Sequence, residues 1–501
     1  MRRLSGLDGM FLSVDQAETT HGTMAGLMIF EPSNDPGAGG REQVIQRITE
    51  RLDAIPPLRW KHVSSKLGIN NQHWVENPNL DVASHVHEVA LPGDGSDHDL
   101  AAFAAQIQET SVDITQAPWE YYIIRGLQGD RIAHLIRLHH SAVDGATVPL
   151  VLDLLSDEPT TPAHPDDARS GSSPSIGAAP VAAARGVVDR LRTPVDLARI
   201  HVKTVKHLIN QRGDDGALLA LPSFVGRMVP GQIAPVVNKP LNALRRRRGK
   251  ADVQPLVPKS ASVPTPFNGT ITSRRTYAFA DLPLGEVKAA GKAFDATLND
   301  AVVAVCAGAV RRFMADFGSV PEQPLVVCVP AALRSEESAL RWANHVSMFF
   351  AEFPTHLADP AERIRAVHTE LAAAKANFDA TPTHLLRDVM AYVPQTFWNV
   401  SVKLMAHGPD WFPAGPWNVV ISNVRGPAKT LRLCGREMAG YWPVAFLTPG
   451  IGLNITLQSY RDRINFGFIG CPDLTPDLWV LADYMTDALA ELSAAAAHTA
   501  P

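Results

Sequence analysis

A break in composition constrains this chain more than any other feature. Residues Asp157–Ala184 (DEPTTPAHPDDARSGSSPSIGAAPVAAA) are rich in Pro, Ser, Gly and Ala and carry almost no large apolar side chain. Such a stretch has little to bury and is expected to run as a linker or surface excursion. In a chain of 501 residues it leaves enough on either side for a substantial core. The expected organisation is a first lobe at 1–156, a connecting region at 157–261 and a second lobe at 262–496.

Both flanks mix helix and strand patterns. In the first, Gly22–Pro32 reads as a strand, Arg41–Ile55 as a helix with Val44, Ile48 and Leu52 on one face, and Asp99–Thr110 as another helix. Strands at Tyr121–Leu127 and Arg131–His140 flank a Gly129-Asp130 turn signal. In the second, a strand at Ile271–Phe279 precedes helices at Pro283–Phe294 and Leu298–Met314 and a strand at Pro324–Pro330. Helices are expected at Pro360–Ala376 and Thr383–Val393, then strands at Trp417–Ser422, Leu431–Met438, Ile451–Tyr460 and Arg463–Gly470, and a closing helix at Pro476–Leu492. The fold class is therefore mixed α/β in two lobes of similar make-up.

The connecting region carries Val187, Leu191, Val195, Ala198, Val202, Val205 and Ile209 at steps of three or four, one apolar stripe that Pro194 is placed to divide. Seven Lys or Arg residues between Arg185 and Arg212 face only Asp189 and Asp196. Two readings stand: a basic amphipathic helix on a lipid surface, or a helix packed on its own protein with a solvated basic face. The Arg245–Arg248 run reads as a solvated loop.

Lys and Arg total 46 against 51 Asp and Glu, a formal charge of −5. That balance argues against nucleic-acid binding through global charge. Cys306, Cys328, Cys434 and Cys471 form no CxxC pair and read as buried thiols in a reducing compartment. The N-terminus lacks the apolar core of a secretory signal, since Asp8 and Asp15 interrupt it, and no window approaches the roughly 20 apolar residues of a membrane span. A cytoplasmic protein is expected, with membrane contact limited to peripheral attachment at the inner face or at lipid droplets.

The densest chemical signal is RIAHLIRLHHSAVDGATVPL at 131–150. Strand alternation puts Ile132, His134, Ile136, Leu138 and His140 on one face and Ala133, Leu135, Arg137 and His139 on the other, so one histidine of the pair faces a given pocket. A neutral imidazole at a strand end can take a proton from an alcohol hydroxyl, and a nearby aspartate can orient the loop or ring. Two satisfied structural histidines fit the residues equally well. A metal site fits poorly, because a strand splays adjacent histidines and no HExxH or Cys/His cluster supplies further ligands. There is no GxSxG elbow for a serine nucleophile and no GxGxxG or GxxxxGK[ST] phosphate cradle.

The heptad His139-His140-Ser141-Ala142-Val143-Asp144-Gly145 resembles the HHxxxDG signature of the bacterial wax ester synthase/diacylglycerol acyltransferase family, within the CoA-dependent acyltransferase superfamily. Other stretches resemble family motifs in the same order: LSGLDGMFL at Leu4–Leu12, Leu298-Asn299-Asp300 followed by AVVAV, Ser422–Pro427 (SNVRGP), and Gly452-Leu453-Asn454-Ile455 with Ser459-Tyr460. Two positions depart. Ala117-Pro118-Trp119-Glu120 stands where the family has PLWE, and Arg425 replaces a proline of SNVPGP.

The resemblance implies two chloramphenicol-acetyltransferase-like lobes with an active-site channel between them. It implies His140 as general base, Asp144 as the residue holding the loop, and His139 in support. The donor would be a long-chain acyl-CoA, a substrate and not a cofactor, and the acceptor diacylglycerol or, as an alternative, a long-chain alcohol. Asn299, Gly145 and Asn454 are the expected substrate-binding positions. Helix capping competes as the role of Asn299, and turn or strand hydrogen bonding as that of Asn423 and Asn454. Trp119 reads as core. Rival functions are a condensation-type transferase using a carrier-bound acyl group and a lipid-surface binding protein of the same fold with little activity.

Overall fold

The computed structural model describes residues 2–4, 6–64, 72–145, 147–162, 262–318, 320–332, 342, 344, 346–379, 395–406 and 417–498. The basic stripe at 187–209, the Arg245–Arg248 run and the helix expected at 383–393 lie outside these residues.

The first half supplies β1 (Arg2–Arg3), α1 (Gly6–Val14), β2 (Thr23–Phe30), α2 (Arg41–Arg51), β3 (Trp60–Val63), β4 (His73–Glu76), β5 (Val86–Ala90), α3 (Asp97–Ile107), β6 (Trp119–Arg125), β7 (Ile132–His139) and α4 (Val148–Leu155). In the second half come β8 (Thr276–Pro283), α5 (Leu284–Lys292), α6 (Leu298–Asp316), β9 (Leu325–Ala332), β10 (Val346–Phe353), α7 (Pro360–Asp379) and α8 (Gln395–Ala406). They are followed by β11 (Val419–Val424), β12 (Arg432–Leu433), β13 (Arg436–Val444), β14 (Leu453–Tyr460), β15 (Arg463–Gly470) and α9 (Trp479–Ala497).

Two mixed six-stranded sheets dominate, in the orders β12-β13-β2-β7-β6-β5 and β10-β9-β11-β14-β15-β8. The hairpin β6–β7 forms where the sequence predicts it, and Gly129 and Asp130 both take positive φ in its loop. Along β7 the alternation holds. Ile132, Ile136 and Leu138 join the core that includes Trp74, Trp119 and the apolar faces of α2 and α4, whereas Ala133 and Leu135 join the core under α3. That second core also takes in Tyr277, Phe279, Val444 and Ile469 from the second half, and the first takes in Leu431, Met438 and Tyr460, so the halves meet in both.

The division of the chain at 262 does not divide the sheets. β13 pairs with β2 in antiparallel register from Met438↔Phe30 to Val444↔Ala25, so strands of the second half complete the first sheet. Without them β2 would present an open row of backbone donors and acceptors. The predicted single strand at Leu431–Met438 is instead the hairpin β12–β13, turning at Cys434 (φ 50°) and Gly435 (φ 79°). Two successive positive φ values make the tight turn whose twist suits a two-residue hairpin. Asp157, the first residue of the expected linker, is fastened to this turn: its carboxylate accepts from the N–H groups of Cys434 (2.8 Å) and Gly435 (2.9 Å) and pairs with Arg47 (2.9 Å).

The strand expected at Ile271–Phe279 begins later, at Thr276. Ile271 is buried in the shared core, and Arg275 leaves the ladder to donate to the carbonyls of Thr272 and Thr19. Where the two sheets cross, Gly467 of β15 lies so close to β13 that a Cβ there would stand 1.7 Å from the Pro443 carbonyl oxygen.

Candidate active site

β7 ends at His139, and the chain turns immediately after it. The last rung is held on both sides: the His139 N–H donates to the Pro118 carbonyl (2.8 Å) and the His140 N–H to the Gly22 carbonyl (2.8 Å). The APWE departure therefore sits directly beside the histidine pair. Trp119 is fully buried and donates from Nε1 to the Leu58 carbonyl (2.8 Å), a core position. Glu120 pairs with the buried Arg137 at 2.6 Å.

The two histidines part company. His139 is fully buried, with Nε2 2.9 Å from Asp15 Oδ2 and Nδ1 2.6 Å from Ser141 Oγ. His140 is half-buried and projects from the turn. Phe11 of α1 stacks on its ring, with centroids 3.9 Å apart and planes at 24°, and Phe446, from the loop after β13, meets it edge-on at 5.6 Å. Asn344 Nδ2 donates to the His140 carbonyl. His140, the ring stacked on it, the ring edge against it and the amide that donates to its carbonyl thus come from both halves of the chain.

His140 Nδ1 is sealed from solvent without a hydrogen-bond partner among the described residues. Burial pushes the His140 pKa down to about 4; the Asp144 carboxylate and the residue's own carbonyl raise it only in part, and His139 lowers it further. The ring is consequently neutral at physiological pH, the form able to accept a proton.

Asp144 is buried and closes the turn: its Oδ1 accepts from the Thr147 N–H (2.9 Å) and the Thr147 hydroxyl at the entry to α4. Gly145 takes no left-handed conformation, and a Cβ on it would meet only Val424 at 3.8 Å. That places the signature loop against the end of β11. The residue before Val424, Asn423, donates to Asn299 Oδ1 (3.1 Å), so Asn299 and Asn423 pair across the α6–β11 junction. The cap of α6 is Thr297, in a reciprocal box with Asp300, which leaves Asn299 free of any capping role. Asn454 is buried in β14. Its Nδ2 donates to the Phe446 carbonyl (3.2 Å) and its Oδ1 accepts from Thr456 (2.8 Å), so it reaches His140 only through the Phe446 ring. Arg425 is exposed at the end of β11.

Sequence reasoning missed Asp15, Phe446 and Asn344 around the histidines. Asp15 registered only as a charge interrupting an apolar run. Phe446 and Asn344 carry no local signal, because they are brought in by the long return of the chain from the second half.

The order of these parts is shared with known proteins. The wax ester synthase/diacylglycerol acyltransferase catalytic domain matches residues 4–302, and the C-terminal domain of the same family matches residues 342–493. The chain belongs to this family. It is an acyltransferase, as the family and its relatives are. A Mycobacterium tuberculosis protein that carries the name diacylglycerol O-acyltransferase is 31% identical over 98% of this chain and 90% of its own length. A second from the same species is 31% identical over 99% and 97%. Among solved structures, the wax ester synthase/diacylglycerol acyltransferase from Marinobacter aquaeolei VT8 aligns over 99% of this chain and 100% of its own with a TM-score of 0.65 at 23% identity. The first condensation domain of the calcium-dependent antibiotic synthetase aligns over 99% and 97% with a TM-score of 0.57 at 13% identity. These two likenesses show that the chain shares its mixed α/β fold with both proteins.

Proposed function

We propose that the protein transfers a long-chain acyl group from acyl-CoA to the free hydroxyl of diacylglycerol, giving triacylglycerol, with His140 as the general base. The observation that carries this reading is the state of His140. It is a neutral, half-buried imidazole whose Nδ1 is sealed from solvent. A proton resting on Nδ1 leaves the Nε2 lone pair for the acceptor hydroxyl. Nε2 takes that proton as the oxygen attacks the thioester carbonyl carbon, and a tetrahedral oxyanion forms. Its collapse breaks the C–S bond, and the departing thiolate recovers the proton from the imidazolium. Atoms and charge balance without a cofactor, because acyl-CoA is itself a substrate.

Asp144 serves this reaction by fixing the turn through Thr147 and by favouring the imidazolium that forms transiently. Asn299, with its Oδ1 already engaged by Asn423, retains its amide N–H groups as donors for the lobe junction. The names of the Mycobacterium tuberculosis relatives favour diacylglycerol as acceptor. Among the described residues no helix is long and apolar enough to cross a membrane. Peripheral association with the inner membrane face or a droplet surface would bring the acceptor to the site.

The test is turnover of labelled palmitoyl-CoA by the purified protein with diolein and, separately, with hexadecanol, reading free thiol and lipid product together. Labelled triacylglycerol formed faster than labelled wax ester is the expected result. Faster wax ester formation overturns the choice of acceptor, and thiol release without either ester overturns both.

A further inference from the structure

We propose that Asp15 is a positioning residue for the transfer reaction, locking His139 in one tautomer and tying together the two strand ends that set His140 in place. The proposal rests on the reading of His140 as the base. The Ser141 N–H points at His139 Nδ1 from 3.2 Å, and a backbone amide can only donate, so Nδ1 is the bare nitrogen of that ring. The ring proton is then on Nε2, which donates to Asp15 Oδ2 at 2.9 Å. The other carboxylate oxygen accepts the Gly22 N–H at 2.6 Å. Gly22 in turn accepts the His140 N–H through its carbonyl. One carboxylate therefore fixes the ring of residue 139 and the residue that holds the backbone of 140.

Two further observations tie this contact to the base. Gly22 has no room for a side chain: a Cβ would stand 2.6 Å from the Phe11 carbonyl oxygen and 3.3 Å from His139 Cε1 and Nε2. The segment that ends in Asp15 is also the one whose Phe11 ring stacks on His140. A shift of Asp15 is thus passed to His140 both through β2 and through α1. The Asp15 pKa lies below its ordinary value: burial would raise it, but the contact with His139 and the hydrogen bond from the Gly22 amide outweigh that.

Asp15→Asn separates positioning from bulk. The amide has one acceptor where the carboxylate has two, so either the His139 Nε2–H or the Gly22 N–H must face an NH2 group. An unpaired buried donor of this kind corresponds to about ten- to hundredfold in rate if it is expressed at the base. The expected result is a folded variant whose kcat falls by about that factor while KM for palmitoyl-CoA stays within about threefold. 15N spectra of labelled histidine should show the His139 ring passing from a pure Nε2–H tautomer to a mixture. Asp15→Glu, which keeps both acceptor oxygens, should recover more of kcat than Asp15→Asn, and this ranking serves even where Asp15→Asn folds poorly. A folded Asp15→Asn with wild-type kcat and an unchanged tautomer overturns the proposal, as does an Asp15→Glu no better than Asp15→Asn. His140→Ala, assayed alongside, distinguishes the two levels: turnover surviving in it overturns the base assignment, whereas its loss with full Asp15→Asn activity overturns the role of Asp15 alone.

Discussion

If the rings packed on His140 supply the burial that lowers its pKa, Phe11 is the most informative position to alter. Between the ordinary imidazole value near 6.5 and about 4, the neutral form is favoured by an energy on the order of 3 kcal/mol. Burial is the largest cause, opposed by Asp144 and reinforced by His139. Two rings supply the flanking cover, Phe11 face-on and Phe446 edge-on. Phe11→Ala removes the closer one and admits water, so the His140 pKa should climb by roughly one pH unit, with 6.5 as the ceiling. Phe11→Leu keeps an apolar cover and should move it little. The acid limb of kcat/KM reports the free enzyme's base. Wild type should therefore be flat from about pH 5.5 to 8, and Phe11→Ala should lose activity at a pH about one unit higher. Thermal melts at each pH confirm that folded protein is being compared. A folded Phe11→Ala whose acid limb coincides with wild type would refute the claim that these rings set the base.

Other positions yield further expectations. Asn454→Ala removes the hydrogen bond to the Phe446 carbonyl and should lower kcat by a factor of about 5–10, the weight of a net hydrogen bond of about 1 kcal/mol; a rise in KM alone would instead favour the substrate-binding role expected from sequence. His134, fully buried between the Tyr121 hydroxyl and the Gly39 carbonyl, has its pKa pushed to about 3 by burial. Below pH 6.5 the unfolded chain binds a proton there that the folded protein refuses, so stability is lost as pH falls from 6.5 towards 3, at about 1.4 kcal/mol per pH unit. Denaturant melts between pH 7 and 4.5 should show a shallower slope for His134→Gln, and equal slopes would contradict this. Gly467→Ala, which sets a Cβ against the Pro443 carbonyl, should cost about 1–3 kcal/mol of stability by overpacking, seen as a lower Tm; an unchanged Tm would mean the crossing of β13 and β15 relaxes freely.

The sequence carried the parts of this structure that are local. The alternation in RIAHLIRLH places the two faces of β7 correctly, and the helix expected at Leu298–Met314 is legible from its apolar run, although its cap is Thr297 and not Asn299. The split of the histidine pair follows from the strand ending at His139, since His140 is then free to project. What was not legible depends on pairings between distant segments. Cys434 is an unusual residue for a left-handed turn, so the β12–β13 hairpin resembled one continuous strand, and nothing local announces that β13 will pair with β2. Asp15 registered only as a charge interrupting an apolar run because its partners, Gly22 and His139, are joined to it by the fold. The bonds of the Asn454 amide to the Phe446 carbonyl and the Thr456 hydroxyl likewise join positions that no local pattern links.

The most direct test is the comparison of wild type with His140→Ala for labelled palmitoyl-CoA and diolein, both proteins matched for fold and each followed for thiol release and ester formation. Equal amounts of thiol and ester from wild type, and neither above background from the folded variant, is the result predicted for a direct transfer with His140 as base. Ester formation by His140→Ala at a rate near wild type would contradict it.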